Sequence, residues 1–180
     1  MSTIVEEIEV AQTKLKGEDI DQVRDFWTDD GIPRDENRSR DRLAAMIGPE
    51  LHRYDINRIT EADMPQGKRA DLAFGHGQMQ LPMEVKGQWH NDVWDAAMSQ
   101  LDQKYLIDWR SQNRGIFCVL WFGDQQSKTG RRLKSHPDGL KSPSTAEEMK
   151  SMIIDRIPQH RRSMIEVIVL DLLTGMKLKK

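Results

Sequence analysis

Residues 115–123 read Gly-Ile-Phe-Cys-Val-Leu-Trp-Phe-Gly, an apolar run bounded by glycines. A run of this length suits a β-strand, and the lack of polar residues predicts that both faces of the strand are buried. Such a strand lies inside a sheet that other elements cover on both sides. Because helical patterns precede and follow it, we expect an α/β fold with helices on both faces of a central sheet.

Apolar periodicity predicts ten elements in the order α-α-α-β-β-β-α-β-α-β. The helix before the buried strand and the helix after it are crossovers, which favour parallel neighbours and a mixed sheet. Gly48-Pro49 is expected to end the third helix, and Ser144 or Thr145 is expected to cap the last. The predicted helices cover residues 3–16, 18–28, 35–47, 91–110 and 145–157, and the predicted strands cover residues 54–60, 69–75, 79–87, 115–123 and 164–172.

The chain has 180 residues and a net charge of −2. This length predicts a single domain over residues 1–180, and the charge disfavours a protein that coats nucleic acid non-specifically. The acidic N-terminus does not resemble a secretory signal, so a cytoplasmic location is expected. The one cysteine, Cys118, lies within the apolar run and is expected to be a core residue.

Three charges stand out on the hairpin predicted from DLAFGHGQMQLPMEVK. Glu84 and Lys86 are two residues apart on one strand, so they point to the same face. Asp71 lies on the preceding strand, and pairing of the two strands can bring it beside them. GHGQ is expected to form the connection, and Pro82 implies that its strand is an edge at that point or carries a bulge.

This trio has a chemical interpretation and a simpler one. Two carboxylates are oxygen ligands for Mg²⁺, which takes one or two of them together with water and substrate phosphate. A lysine beside them can hold a water or stabilise charge on a phosphate. The simpler interpretation is a salt-bridged strand end, although surface ion pairs contribute little to stability, often under about 1 kcal/mol.

An aspartate on one strand and Glu-x-Lys on the next, between a helix and a crossover helix, resembles the PD-(D/E)xK nuclease superfamily. The resemblance covers residues 35–122 and implies a restriction-endonuclease-like α-β-β-β-α-β core. Two extra helices over residues 3–30 would precede it; a basic loop over 124–144 and a helix and strand over 145–173 would follow. It implies cleavage of nucleic-acid phosphodiesters with Mg²⁺, which Mn²⁺ can replace. Asp71, Glu84 and the Val85 carbonyl would be metal ligands, and Lys86 the catalytic lysine.

The chain departs from the pattern in places. Ala70 stands where the superfamily usually has proline. Many members add a glutamate on the first core helix, and Glu36 shares the inward face of that predicted helix, so it is a candidate ligand. The subgroup related to the RecB nuclease has Gln-x-x-x-Tyr on the crossover helix. Here Gln100 and Tyr105 are one residue too far apart, so Gln100 alone is carried over as a site-lining residue.

Other candidates have equally plain structural interpretations. His76 in the turn is expected to be solvated, and a role near the substrate is the minor alternative. His90 follows the catalytic strand and suits either phosphate contact or packing at a helix entry. Trp89 is a candidate for base stacking. The basic cluster Arg131, Arg132 and Lys134 suits either solubility or contact with phosphates.

We therefore expect a Mg²⁺-dependent nuclease, an endonuclease of repair or defence by fold analogy, that acts on DNA rather than RNA. The alternative is a catalytically inactive nuclease-fold module that binds nucleic acid or assembles with a partner. A small-molecule enzyme on another α/β sheet is disfavoured, because the chain has no glycine-rich phosphate loop and no G-x-S-x-G elbow. Whether the protein acts alone, as a homodimer or with a partner protein is left open.

Overall fold

The apolar run forms a strand of a five-stranded mixed sheet in the computed structural model, which describes residues 1–17, 22–123 and 130–173. The strands are β1 (Asn57–Met64), β2 (Lys68–His76), β3 (Met79–Gly87), β4 (Gly115–Trp121) and β5 (Ile165–Asp171). The helices are α1 (Ser2–Gly17), α2 (Glu36–His52), α3 (Ala146–Arg156) and a π-helix (Ala97–Tyr105), with short 3-10 turns between elements.

The strands follow chain order across the sheet. β1, β2 and β3 are antiparallel neighbours, whereas β4 pairs with β3 in parallel and β5 pairs with β4 in parallel. The π-helix lies between β3 and β4 in the chain and α3 lies between β4 and β5, as expected for crossovers between parallel strands. The predicted α/β class with a mixed sheet is therefore confirmed.

Each face of the sheet carries its own hydrophobic core. Leu72, Phe74 and Val85 pack with α1 and α2 on one face. Ala73, Phe117 and the buried residues of the π-helix and α3 pack on the other face. All seven residues of β4 are buried, as its composition predicted.

The third predicted helix extends past the glycine and proline that were expected to end it. α2 begins after Asp35, whose carboxylate accepts a hydrogen bond from Arg38 N, and it continues through Pro49 to His52. The prediction was wrong because Leu51, which has no exposed surface, is drawn into the core with the last turn. This burial offsets the backbone hydrogen bond that proline cannot donate.

The predicted second helix over 18–28 is also wrong where the structure describes it. Gln22–Phe26 forms a 3-10 turn, and Trp27 then makes a bridge to Pro33. Val23, Phe26 and Trp27 are buried, so the apolar spacing reflects burial rather than an α-helix. Residues 18–21, the start of the basic loop at 124–129 and residues 174–180 lie outside the described residues.

The helix predicted for residues 91–110 forms differently. Turns cover residues 91–95, the π-helix covers Ala97–Tyr105, and a 3-10 turn follows at Trp109–Ser111. Leu106 N donates to Leu101 O, the i to i−5 bond that defines a π-helix. The wider period takes Trp109 off the apolar face, and its side chain is 71% exposed instead of buried.

The strands match the predictions more closely. β3 has the predicted bounds, β2 is one residue longer at each end, and β1 begins three residues later than expected. Pro82 pairs with Ala73 on one side, and pairing with β4 starts only at Met83, so the strand is an edge at Pro82 as expected. Thr145 caps α3, as one of the two predicted candidates. Within the described ranges, none of the helices combines the length and apolar character that a bilayer crossing requires.

Candidate active site

Asp71 lies where the β2–β3 hairpin stops pairing. The ladder runs from His76–Met79 to Leu72–Met83 and ends one residue before Asp71 would meet Glu84. At this point Val85 N donates to Asp71 Oδ2 at 2.9 Å, so a side chain replaces the next ladder bond. The opening gives the Asp71 carboxylate a fixed position beside β3.

The strand on the other side of Asp71 is distorted at the same level. Thr60 pairs with Leu72 and Ala62 pairs with Ala70, while Glu61, opposite Asp71, has a left-handed φ of 49°. Such a conformation is unusual for a residue other than glycine. Ala70 packs in the core under the π-helix, whereas Leu72 packs in the core under α1 and α2. The strand therefore changes faces at Asp71, a feature that simple alternation does not predict.

Glu84 and Lys86 form a buried pair on β3, on the face that the π-helix covers. Lys86 Nζ lies 2.5 Å from Glu84 Oε1 and 3.9 Å from Asp71 Oδ2. The side chains are 8% exposed for Lys86, 1% for Glu84 and 29% for Asp71. Glu84 Oε2 is buried without a hydrogen-bond partner. The predicted trio is thus assembled, with one carboxylate oxygen left without a partner.

The electrostatics of the trio reflect burial and repulsion between carboxylates. Burial and the like charge of Asp71 raise the pKa of Glu84, Lys86 opposes both effects, and the net pKa is about 7. Burial lowers the pKa of Lys86, but Glu84, Asp71 and Glu36 outweigh it, so the net pKa of Lys86 is raised. Lys86 is therefore a stable cation, while Glu84 titrates near neutral pH.

Glu36 comes to the same end of β3, as the helical phase predicted. It is the first residue of α2, and its Oε1 accepts a hydrogen bond from Gly87 N at 2.9 Å. Its charge also acts on Lys86. One of its oxygens is thus committed to the backbone, which makes Glu36 an orienting neighbour of the trio in this state.

Tyr105 lies close to the trio, although its spacing from Gln100 kept it out of the predicted site. Burial, Glu84 and Asp71 all raise the pKa of its hydroxyl, which places it within electrostatic reach of both carboxylates. Its hydroxyl in turn acts as a hydrogen-bonding group that lowers the pKa of Glu84. Tyr105 is the last residue of the π-helix, the element that covers the face of β3 with Glu84 and Lys86.

Three other predicted residues lie outside this cluster or at its margin. Gln100 donates to Asp92 Oδ2 at 3.1 Å, and among the described residues no hydrogen bond joins it to the trio. His76 is exposed at the far end of β2, where Nδ1 contacts Asp55 O at 3.1 Å, which agrees with the expected solvated residue. His90 follows β3, and its Nδ1 accepts from Asp92 N at 3.0 Å, which favours a packing role at that turn.

The basic segment also reaches this end of β3. The Arg131 guanidinium carbon lies 4.4 Å from the centroid of the Trp89 ring, and Lys134 Nζ donates to Asn91 Oδ1 at 2.7 Å. The ring of Trp89 is thus in contact with Arg131, and its stacking on a base stays a prediction. Arg132 is exposed in the same segment. A residue that the sequence did not single out, Gln88, anchors the segment.

The acidic groups suit Mg²⁺ more than a metal that needs many protein ligands. Among the described residues, no three His, Cys, Asp or Glu side chains form a group arranged to hold a metal ion. Mg²⁺ needs only one or two carboxylates, since water and substrate phosphates supply the rest. Asp71 and the unpartnered Oε2 of Glu84 fit that requirement, and the Val85 carbonyl stays a predicted further ligand.

Comparison with known proteins adds a family but no activity. No curated protein and no solved structure matches the chain. A family model described as Domain of unknown function (DUF8371) matches residues 2–124, a segment that contains Glu36, Asp71, Glu84, Lys86 and Tyr105. The chain therefore belongs to the DUF8371 family.

Proposed function

We propose that this protein is a Mg²⁺-dependent nuclease that hydrolyses phosphodiester bonds, with DNA as the substrate. The observation that carries the proposal is the buried Glu84–Lys86 pair beside Asp71, with Glu84 Oε2 lacking a hydrogen-bond partner. A salt bridge that served stability alone would gain little from a second carboxylate that raises the pKa of the first. The arrangement therefore favours function over stability.

The topology supports assignment to the restriction-endonuclease-like fold. α2, the antiparallel strands β1 to β3, the π-helix and the parallel strand β4 follow the α-β-β-β-α-β order of the PD-(D/E)xK core. In that fold Asp71 and Glu84 would be the metal ligands and Lys86 would be the catalytic lysine, as the resemblance implies. α1 precedes this core in the chain and packs against α2, and α3 and β5 follow the core.

The roles of the residues follow from their charges. Asp71 and Glu84 would hold Mg²⁺, with Glu36 able to contribute its free oxygen through water. When bound, Mg²⁺ supplies positive charge that offsets the charge of the phosphate and lowers the pKa of water. The raised pKa of Lys86 keeps it protonated, so it would donate hydrogen bonds to the attacking water or to a phosphate oxygen. Tyr105 would fix the position of Glu84.

A second candidate is a nuclease-fold module without catalysis. Two observations favour it: Lys86 is paired directly with Glu84, and one oxygen of Glu36 is committed to Gly87 N. Such a module would bind nucleic acid or assemble with a partner protein through the same fold. It would bind nucleic acid without cleaving it at any concentration of Mg²⁺ or Mn²⁺.

A cleavage assay separates the two candidates. Plasmid DNA, single-stranded DNA and RNA are incubated with Mg²⁺ or Mn²⁺ and with the wild type, Glu84→Gln or Lys86→Ala. The control variant is Lys14→Ala, because Lys14 is an exposed lysine on α1. We expect both site variants to lose cleavage by about 100-fold or more, as is typical when a group that stabilises the transition state is removed.

Either of two results would contradict the nuclease proposal. One is full Mg²⁺-dependent cleavage by folded Lys86→Ala. The other is binding of nucleic acid by the wild type without cleavage of any of the three substrates, which supports the module without catalysis.

A further inference from the structure

Gln88 is a buried residue two positions after Lys86, and its side chain makes several hydrogen bonds. Its side chain has no exposed surface. Its Oε1 accepts from Phe122 N at 2.7 Å, and its Nε2 donates to Gly123 O at 2.8 Å and to Arg131 O at 3.2 Å. All these partners are backbone atoms of the chain beyond β4. One amide thus joins the end of β3 to the end of β4 and to the basic segment.

The basic segment has further anchors, although it forms no helix or strand. Lys134 N donates to Gln88 O at 2.9 Å, and Trp94 Nε1 donates to Lys134 O at 2.9 Å. His136 is 5% exposed, and its ring centroid lies 4.8 Å from that of Trp94. We refer to residues 130–136 as the clamp segment. Its backbone is fixed at positions 131 and 134 and its end is buried at His136.

Two cations of the clamp segment, Arg131 and Lys134, contact residues that follow β3. Trp89 packs against Gly87, where a Cβ would overlap its ring, and Arg131 lies over the same indole. Gly87 directly follows Lys86. Among the described residues, no carboxylate forms an ion pair with Lys134, whose ammonium contacts only the neutral Asn91 side chain. The segment therefore presents positive charge at the end of β3 that carries Lys86 and Gly87.

We propose that the clamp segment binds the phosphate backbone next to the bond that is cleaved, and that Gln88 is the positioning residue for it. This inference rests on the proposed function, because it assumes a nucleic-acid substrate at the trio. Arg131, Arg132 and Lys134 carry positive charge, and the described part of the segment presents no aromatic ring for base stacking, so contact is with phosphates and does not depend on sequence. A loop that served solubility alone would not require a buried amide with three hydrogen bonds.

Binding is measured without metal, so that the clamp is tested apart from catalysis. A short fluorescein-labelled DNA duplex is titrated in EDTA, and anisotropy gives the affinity from about 50 to 200 mM NaCl, a range in which phosphate contacts show clearly. The variants are Arg131→Ala/Lys134→Ala, Gln88→Leu and Trp94→Phe. The matched control is Lys14→Ala/Arg53→Ala, which removes two cations from exposed positions on α1 and after α2.

The double clamp variant should lower the slope of log affinity against log salt concentration by about 2, because each lost phosphate contact lowers it by about 1. Over the same salt range the wild type should then lose about tenfold more affinity than the double variant. The control should keep the wild-type slope. An unchanged slope in the double variant would overturn the proposal.

Gln88 is tested as a positioning residue by a double-mutant cycle. Gln88→Leu should weaken DNA binding when it is introduced into the wild type. In the Arg131→Ala/Lys134→Ala background it should weaken binding by less than about twofold, because the free-energy changes of residues that act together do not add. Trp94→Phe removes only the indole donor to Lys134 O and keeps an aromatic ring. It should therefore weaken DNA binding less than Gln88→Leu does, and it replaces Gln88→Leu in the cycle if that variant fails to fold. Equal losses in both backgrounds would show that neither residue acts through the clamp.

The outcome also separates this inference from the proposed function. If the wild type cleaves DNA but the clamp variants keep its salt slope, only the proposal that the clamp segment binds phosphates is contradicted. If the clamp variants have a reduced salt slope but the wild type cleaves no substrate, the nuclease proposal is contradicted and the proposal for the clamp segment stands.

Discussion

Glu84 Oε1 lies 2.5 Å from Lys86 Nζ, while Glu84 Oε2 is buried with no hydrogen-bond partner. Half of the carboxylate is paired within the chain and the other half is desolvated. Burial and the neighbouring Asp71 raise the pKa of Glu84 to about 7, so in neutral solution the group is only partly ionised. A cation that binds to it must displace a proton.

We predict that Mg²⁺ binding releases a proton from Glu84. With a pKa of about 7, release should be close to one proton per ion at pH 6 and close to zero at pH 8, and affinity should rise over that interval. Calorimetric titrations in buffers with different ionisation enthalpies give the proton count. A count that does not change with pH would show that Glu84 is not the group displaced.

As a corollary of that first prediction, the stability of the metal-free protein should depend on pH. The pKa of Glu84 is raised on folding, so its stabilising contribution is complete below its usual value of 4.5 and is lost as pH rises through about 7. The loss should be about 3 kcal/mol at most. Lys86 does not contribute in this interval, because its pKa is raised above its usual alkaline value. Urea unfolding of the wild type and of Glu84→Gln between pH 5 and pH 8 measures the effect, which the variant should lack.

A second prediction separates the chemical role of Asp71 from its structural one. Its Oδ2 accepts the Val85 N–H where the hairpin ladder ends. Asp71→Asn keeps an acceptor there, whereas Asp71→Ala leaves a half-buried donor without one at a cost of about 1 kcal/mol. Both variants should lose cleavage, but only the alanine variant should lose stability in urea unfolding. Equal stability of the two would mean that the hydrogen bond contributes nothing to the fold.

Much of the sheet and of the acidic trio follows from local patterns. The alternation in β3 gives its bounds and places Glu84 and Lys86 on one face, and the unbroken apolar run identifies β4 as an interior strand. The hairpin brings Asp71 close because two strands joined by a short turn have little choice of partner. These features depend on neighbours in sequence, which is why they could be predicted.

The features that were missed depend on contacts between distant residues. The left-handed Glu61 and the end of pairing at Asp71 bend β2 between two cores, and alternation contains no signal for that. The π-helix shifts Tyr105 into the site, although the Gln100–Tyr105 spacing could have suggested it. Gln88 gave no signal, because a single amide has no period and its partners lie 34 to 43 residues away.

A third prediction concerns the Tyr105 hydroxyl. Tyr105→Phe keeps the ring in the core and removes a group that acts to lower the pKa of Glu84. The pKa of Glu84 should therefore rise further, and the acid limb of the pH profile of cleavage should move to higher pH. The cleavage rate at pH 7 should fall by about tenfold, which corresponds to the free energy that one hydrogen bond usually contributes. A lower rate with an unmoved acid limb would assign Tyr105 to packing alone.

A fourth prediction tests the close packing between Gly87 and Trp89. A Cβ at residue 87 would overlap the indole, which is enclosed by Phe122, with ring centroids 5.7 Å apart, and by Arg131. Gly87→Ala should therefore cost about 1 to 3 kcal/mol of unfolding free energy, the usual range for overpacking. In a Trp89→Ala background the same substitution should cost much less, because its obstacle is gone. Gly17→Ala at the end of α1 is the matched control and should be neutral, since no atom lies within 4 Å of its Cβ position. Urea unfolding of these variants gives the coupling energy, and additive losses would show that the ring does not require a glycine at residue 87.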